Sequence, residues 1–256
     1  VNKEIRRNRT RYFDENFNWP AWDLVPPFGK PHSDYLFVMD KNSSVPSMAV
    51  GRIAAYTPKQ VSDYLRKVKD FEYAKVNAPY TLEGRGWMKR ILHFGGGDPA
   101  IQNSIKRELN AVKTIAEDGT FGADVVSFFK NSTNVVQSLD FDEVSRYINE
   151  GSAIMTFFGH SAATTLDFSL GAPTEYNNYQ RYPIFYAMGC NTNRVFNTRT
   201  TLSEDWVFAE NGGAVAFLGT TELTELNNLS NYGREFYQNF ATQEYGKTIG
   251  EIIQAN

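Results

Sequence analysis

The chain has 256 residues, of which 41% are hydrophobic and 21% charged, so it can build a sizeable core and is not globally disordered. Lys and Arg number 26 against 29 Asp and Glu, and the formal charge of −3 argues against a phosphate-binding surface and a nucleic-acid partner. No apolar run is long enough to span a membrane, and the single cysteine, Cys190, excludes an internal disulfide or a multi-thiolate metal site.

The first 32 residues are rich in Arg, Asn and aromatic side chains and show no regular hydrophobic period. We interpret residues 1–32 as an irregular N-terminal segment and residues 33–256 as one domain, because no linker or internal repeat divides them. The chain begins at Val1 rather than Met, which we interpret as a processing boundary within a longer protein.

Short apolar runs alternate with longer helical patterns from residue 35 onward. The expected strands are Tyr35–Met39, Ile91–Phe94, Val125–Phe129, Ala153–Phe158, Ile184–Met188 and Ala214–Leu218. The expected helices are Pro58–Glu72, Ile101–Glu117, Phe141–Asn149, Leu202–Glu210, Asn231–Ala241 and Lys247–Ala255. Thr57 followed by Pro58 is a typical helix start. The alternation predicts an α/β fold with a mainly parallel sheet flanked by helices.

Two residues with catalytic chemistry follow apolar runs of this sheet. His160 and Cys190 each come after a run and a single glycine, and they are 30 residues apart, about the length of one parallel crossover. If the two strands are neighbours, both side chains lie at the same edge, where an imidazole can activate a thiol. The backbone N–H groups of Ser161 and Cys190 are then candidate donors of an oxyanion hole.

Each residue also has a simpler interpretation. A lone Cys after an apolar run is usually a small buried hydrophobic residue, and a lone His beside a glycine turn is usually a hydrogen-bonded loop residue. The joint pattern of Cys190 and His160 makes a catalytic role as plausible as a structural one, and the spacing alone leaves both interpretations open.

A larger set of motifs, in a fixed order along the chain, resembles the gingipain family of cysteine peptidases, which includes the sortase-like peptidase of the type IX secretion system. The motifs are Ser33-Asp34-Tyr35, the run Met48–Thr57 centred on Gly51-Arg52, Trp87-Met88-Lys89-Arg90, Phe158-Gly159-His160-Ser161, Gly189-Cys190-Asn191, Leu202-Ser203-Glu204 and Gly213–Phe217. The resemblance runs from about Ser33 to Gly250 and so makes residues 33–256 a peptidase domain, as part of a longer protein.

The resemblance implies a caspase-like α/β sandwich in which a His and then a Cys, at the ends of neighbouring strands, form the catalytic dyad. His160 and Cys190 fall on those positions. It also implies sheet upstream of Ser33, which fits our interpretation of this chain as part of a longer protein. The further implications are a peptide or protein substrate, an acyl-enzyme intermediate, and an extracellular or cell-surface location. Oligomeric state is left open.

Departures from the family pattern limit what the resemblance implies. Ser161 stands where the family commonly has a Gly after the catalytic His. The acid that orients this His in gingipains has no Glu counterpart here, and Asp98 is the nearest substitute, with a role in a solvated turn as the alternative. The acid that gives some gingipains their preference for Arg has no match in Ala100–Ser104, so Arg specificity is not expected.

Other features are weaker candidates. The family's first specificity pocket is lined by the loop that here contains Glu222 and Glu225, although loop glutamates are usually solvated. No cofactor is required and no metal site is assigned, but gingipain-like proteins carry structural calcium, for which Asp34, Asp40 and Asp98 are candidate ligands. The triplet Gly95-Gly96-Gly97 lacks the context of a nucleotide-binding loop. His93, inside an apolar run, is predicted to be structural.

Three hypotheses follow for the function. The first is a cysteine endopeptidase that uses a Cys190–His160 dyad. The second is a sortase-like transpeptidase, in which an amine resolves the same acyl-enzyme. The third is a non-catalytic cell-surface module that keeps the fold, favoured by the missing Glu and by Ser161. A serine hydrolase is discounted because no Gly-x-Ser-x-Gly motif occurs.

Overall fold

The computed structural model describes residue 25 and residues 32–39, 45–138, 141–196 and 200–256. The strands of the main sheet are β1 (Arg90–Gly95), β2 (Asp124–Phe129), β4 (Ile154–Phe158), β8 (Ile184–Met188) and β9 (Ala216–Gly219). The short strands are β3 (Gln137–Ser138), β5 (Ser161–Ala162), β6 (Thr165–Leu166) and β7 (Phe168–Ser169). The main sheet has the order β2-β1-β4-β8-β9, and all of its neighbours are parallel. The predicted α/β fold is confirmed.

Helices connect the strands at nearly the predicted places. They are α1 (Pro58–Asn77), α2 (Leu82–Arg85), α3 (Gln102–Asp118), α4 (Phe141–Glu150), α5 (Leu202–Phe208), α6 (Leu226–Gln238) and α7 (Ile249–Gln254). Thr57 begins α1 with a capping box: its side chain accepts from the Gln60 N–H, and the Gln60 side chain accepts from the Thr57 N–H. Among the described residues, no helix combines the length and the apolar composition that crossing a bilayer requires.

The predicted strand Tyr35–Met39 is wrong. Tyr35–Phe37 is a 3₁₀ turn, and Met39 makes only an isolated bridge to Pro46. The Ser33 hydroxyl accepts the Tyr35 N–H at 3.1 Å and starts the turn. Tyr35 and Phe37 are both more than half exposed, and none of the strands in the described residues pairs with this turn. A five-residue apolar run does not by itself distinguish a strand from a turn.

The core consists of two layers, one on each face of the main sheet, because successive strand residues point to opposite faces. On one face, β1 and β4 contribute Ile91, Ile154 and Phe158 to a cluster with α3, α6 and α7. On the other face, β1 and β4 contribute residues such as Leu92 and Met155 to a cluster with α4 and α5. With both faces covered, the strands are mainly apolar, and the loops at the strand ends carry most of the groups with chemical function.

His93 is the polar residue among the buried positions of β1, and it is fully buried. Its Nε2 and the Tyr237 hydroxyl lie 2.9 Å apart, and the same hydroxyl bonds the Thr156 Oγ1 at 2.6 Å. Burial, and to a smaller degree Lys113, lowers the pKa of His93 from 6.5 to about 3. The folded protein therefore holds this ring neutral, and the structural role predicted for His93 fits its surroundings.

We expect His93 to make the protein sensitive to acid. The unfolded chain binds a proton at His93 below pH 6.5 and the folded chain only near pH 3, so stability falls as the pH drops through this window. The slope from one such group is about 1.4 kcal/mol per pH unit. His93→Leu removes the group and leaves the Tyr237–Thr156 bond. Urea unfolding between pH 7 and pH 4.5 should show a shallower acid slope in the variant; equal slopes would contradict this account.

Candidate active site

The carboxyl ends of β4 and β8 lie side by side in the middle of the sheet. Phe158 and Met188 are register partners in this parallel pair, and the Gly159 N–H donates to the Met188 carbonyl at 3.2 Å. His160 is the second residue after β4, and Cys190 is the second residue after β8. The segments that carry the two side chains therefore leave the sheet at the same edge.

The side chain of Ser161 joins these two segments. Its hydroxyl donates to the Cys190 carbonyl at 2.8 Å. A Cβ atom added to Gly189 would overlap this hydroxyl oxygen and would lie 3.0 Å from the Gly159 carbonyl oxygen. The residue before Cys190 is therefore a glycine because the neighbouring segment occupies the space that a side chain would need.

The thiol of Cys190 faces the loop between β9 and α6. Cys190 is a free, half-buried cysteine whose Sγ donates to the Thr224 carbonyl at 3.4 Å. The Thr224 N–H is also 3.4 Å from Sγ and donates to it. The carbonyl favours the protonated thiol and the N–H favours the thiolate, so Thr224 can accommodate both states of the sulfur.

The turn around Cys190 leaves one candidate oxyanion donor available. Within the described residues, no protein group accepts the Cys190 N–H. The next residue, Asn191, has a left-handed backbone with φ of 58°, and its N–H donates to the Glu222 carbonyl at 3.1 Å. Ser161, the other predicted donor, begins the β5–β6 hairpin directly after His160. Both donors thus flank the edge where the two segments meet.

The imidazole of His160 pairs with Asp98, which follows β1. The two atoms, His160 Nε2 and Asp98 Oδ2, are 3.3 Å apart, and the side chains are 58% and 53% exposed. Water screens such a pair, so it adds little to stability, but it gives the ring a preferred direction. The Ala100 N–H, and next the His160 ring, lower the pKa of the Asp98 carboxyl. Asp98 is therefore ionised at neutral pH.

Other candidate residues lie around this centre. Glu222 Oε1 is 4.0 Å from His32 Nδ1. Glu225 is the N-cap of α6 and makes no capping bond with its side chain. Both belong to the loop that contacts Cys190 through Thr224, and their place in a specificity pocket stays a prediction.

The candidate calcium ligands have other partners. Asp34 accepts two bonds from the Arg52 guanidinium, at 2.9 and 2.5 Å, and Asp98 pairs with His160. Asp40 lies outside the described residues. Among the residues that the structure describes, no group of three His, Cys, Asp or Glu side chains could hold a metal ion. Structural calcium stays a prediction.

Sequence reasoning missed the roles of Thr224 and of the Ser161 hydroxyl. The sequence indicates only a backbone role for Ser161 and indicates no role for Thr224. Thr224 carries no sequence signal, because both of its contacts with Cys190 use the main chain. Gly189 was a usable signal, since a glycine beside a candidate nucleophile indicates a close approach by another part of the chain.

Solved structures with a similar fold include two gingipain structures. The crystal structure of the Arg-specific cysteine proteinase gingipain R (RgpB) matches with a TM-score of 0.73 and 12% identity, over 100% of this chain and 61% of that one. The complex of the Porphyromonas gingivalis RgpB pro- and mature domains matches with a TM-score of 0.70 and 12% identity, over 99% and 62%. A structure described only as a protease matches with a TM-score of 0.63 and 16% identity, over 78% and 42%.

The sheet and its structural relatives first define a class: this is an α/β protein of the caspase-like fold found in gingipains. The particular family follows from the sequence. The model of Peptidase family C25 matches residues 6–256, so the chain belongs to that family, the gingipain family. The match includes most of residues 1–32. The chain spans about three fifths of the length of the gingipain R chain. A comparison with curated proteins finds no match.

The contact between Ser161 and Gly189 can be tested by a double-mutant cycle. We expect Gly189→Ala to lower the free energy of unfolding by about 1–3 kcal/mol, because the new methyl group overlaps the Ser161 hydroxyl. Ser161→Gly in the same chain should recover most of the loss. Gly51→Ala, where a Cβ meets no atom within 4 Å, is the matched control. Urea unfolding measures the native chain, the two single variants and the double variant, together with the control. Strictly additive effects of Gly189→Ala and Ser161→Gly would contradict the contact.

Proposed function

We propose that this chain carries the catalytic centre of a cysteine endopeptidase, with Cys190 as the nucleophile and His160 as the acid–base group. The observation that carries the proposal is the parallel pairing of β4 with β8. This pairing brings the segments of a lone thiol and an imidazole to one edge of the sheet, in a chain that belongs to a peptidase family. Nucleophile and base on neighbouring strand ends are what thiol acyl transfer needs.

The reaction starts when the Cys190 thiol gives its proton to His160 and the thiolate attacks a peptide carbonyl carbon. Charge moves to the carbonyl oxygen, where the N–H groups of Ser161 and Cys190 stabilise it. The imidazolium then gives its proton to the leaving amine as the C–N bond breaks, which leaves a thioester on Sγ. Water, deprotonated by His160, hydrolyses the thioester and restores the thiol.

The hydrogen bonds of the resting site define how its two groups would meet. Because Nε2 of His160 pairs with Asp98, Nδ1 is the nitrogen that would take the thiol proton. The ring is more than half exposed, so a substrate can reach it. When the thiol loses its proton, its bond to the Thr224 carbonyl is lost, while the bond from the Thr224 N–H remains and stabilises the thiolate.

The substrate in this proposal is a peptide or protein, cleaved at the cell surface or outside the cell, with no cofactor. The description of gingipain R as Arg-specific applies to that protein. Here Ala100–Ser104 supplies no carboxylate for an Arg side chain. Glu222 and Glu225, beside the loop that contacts Cys190, are the candidate acids for a basic side chain before the cut.

One observation favours the non-catalytic module as a second candidate. In the described part of the chain, no hydrogen bond joins the imidazole of His160 to the thiol of Cys190; the ring pairs with Asp98 and the thiol with Thr224. A domain that has lost catalysis can keep both groups in such separate contacts. A peptidase must bring them together during the reaction.

Substitution of the dyad tests the peptidase proposal. We expect Cys190→Ala and His160→Ala each to reduce cleavage of a mixed peptide library, followed by mass spectrometry, by at least about 1,000-fold, because both groups act in one step. His32→Ala is the matched control. It removes an imidazole that lies near Glu222 and outside the dyad, and the variant should keep most activity. Cleavage that survives either dyad substitution would contradict the assignment.

Alkylation separates the peptidase from the non-catalytic module. Cys190 is the only cysteine, so uptake of iodoacetamide reports on this one thiol. We expect half-maximal reactivity well below pH 8.5, the ordinary range of a free thiol, and a shift toward that value in His160→Ala. A thiol that reacts like a free cysteine in both proteins would favour the module.

Capture by an added amine separates hydrolysis from chain transfer. If water resolves the acyl-enzyme, glycinamide at millimolar concentration should leave the cleaved acid as the main product. A transpeptidase would instead release mainly the glycinamide adduct. Mass spectrometry of the products distinguishes the two, and a dominant adduct would overturn the assignment as an endopeptidase in favour of the sortase-like alternative.

A further inference from the structure

Asp167 is a buried acid that bonds both turns of the candidate site. Its backbone N–H donates to the His160 carbonyl at 2.9 Å, which closes the β5–β6 hairpin. Its carboxylate Oδ2 accepts the Gly97 N–H at 2.7 Å, and Gly97 directly precedes Asp98. One residue thus holds the segment of the imidazole with its main chain and the segment of the orienting acid with its side chain.

The surrounding glycines make room for this carboxylate. A Cβ atom on Gly96 would overlap the Asp167 Oδ1, and one on Gly159 would lie 2.6 Å from it. Gly97 has a φ of 97°, which side chains other than glycine rarely adopt. Two members of the Gly95–Gly97 triplet are therefore explained by Asp167: Gly96 leaves space for the carboxylate, and Gly97 presents its N–H to it.

The carboxyl group of Asp167 is buried and lies close to a buried lysine. The Asp167 side chain is 6% exposed, and Lys130 Nζ, itself on a side chain only 2% exposed, lies 3.5 Å from Oδ2. Oδ1 has no hydrogen-bond partner among the described residues. Burial is the largest effect and raises the pKa of the Asp167 carboxyl above its usual range, although the Gly97 N–H, Lys130 and His160 each act in the opposite direction. The titratable groups that act on this carboxylate are thus Lys130 and His160.

The exposed pair above this carboxylate needs such an anchor. Asp98 and His160 are both more than half exposed, and a pair of that kind does not fix its own geometry. We infer that Asp167 is a positioning residue: through its bonds with the His160 carbonyl and the Gly97 N–H, it sets the His160 imidazole relative to Asp98. The inference rests on the function proposed for His160, and Asp167 itself touches no reacting atom.

Asp167→Asn tests the inference, because it keeps the shape of the side chain and removes its charge. We expect kcat to fall about 10- to 100-fold with KM nearly unchanged, since a displaced acid–base group slows the chemical step and not binding. We also expect the NMR signals of the His160 imidazole to shift, because the ring then lies differently relative to Asp98. Asp142→Asn, at an exposed position in the first turn of α4, is the matched control and should change neither kcat nor these signals.

Two readouts keep the result interpretable. The His160 signals need no catalysis, so they test Asp167 even if substitution of Cys190 shows that the chain cleaves no peptide. If Asp167→Asn does not fold, Gly96→Ala displaces the carboxylate without removing it and should also shift these signals and lower kcat. A folded Asp167→Asn protein, checked by urea unfolding, with unchanged His160 signals or with a change in KM alone would overturn the inference.

Discussion

The close approach of β4 and β8 at their carboxyl ends determines the rest of the site. The two segments that follow the strands run so near each other that Gly159 and Gly189 cannot carry side chains. Asp167 fills the space beside Gly159, and the Ser161 hydroxyl fills the space beside Gly189. The same two glycines that let the sheet edge close therefore also place His160 and Cys190 on neighbouring segments.

Much of the fold could be predicted from the sequence because its elements carry local signals. The strands covered on both faces are continuous apolar runs, as in Ile184–Met188, and the capping residues Thr57 and Thr201 begin their helices with side-chain bonds. Tyr35–Met39 carries the same apolar signal but pairs with no strand in the part of the chain that the structure describes, and a sequence does not show which runs will find a neighbour. Strand pairing is a property of the whole fold.

The contacts of the candidate site were far less predictable. Thr224 meets Cys190 only through its main chain, and Asp167 is 70 residues away from Gly97, whose N–H it accepts. Such contacts depend on the register of β1, β4 and β8, in which a slip of one residue would turn every side chain to the opposite face. The motifs of the sequence predict that the segments of His160 and Cys190 lie at neighbouring strand ends. The bonds from Thr224 and Asp167 that support these segments follow only from the folded structure.

The buried pair of Asp167 and Lys130 bears on the choice between an active site and an inert module. Two buried charges cost more desolvation than their attraction returns, and apolar replacements of similar volume are often as stable or more stable. Stability of the fold therefore gives little reason for Asp167 and Lys130, or for the glycines that admit the carboxylate. The proposed peptidase function gives such a reason, because a reacting imidazole must be both accessible to the substrate and fixed in position. In that proposal Asp167 is the buried support of an exposed reacting group, and a domain without catalysis has no such need.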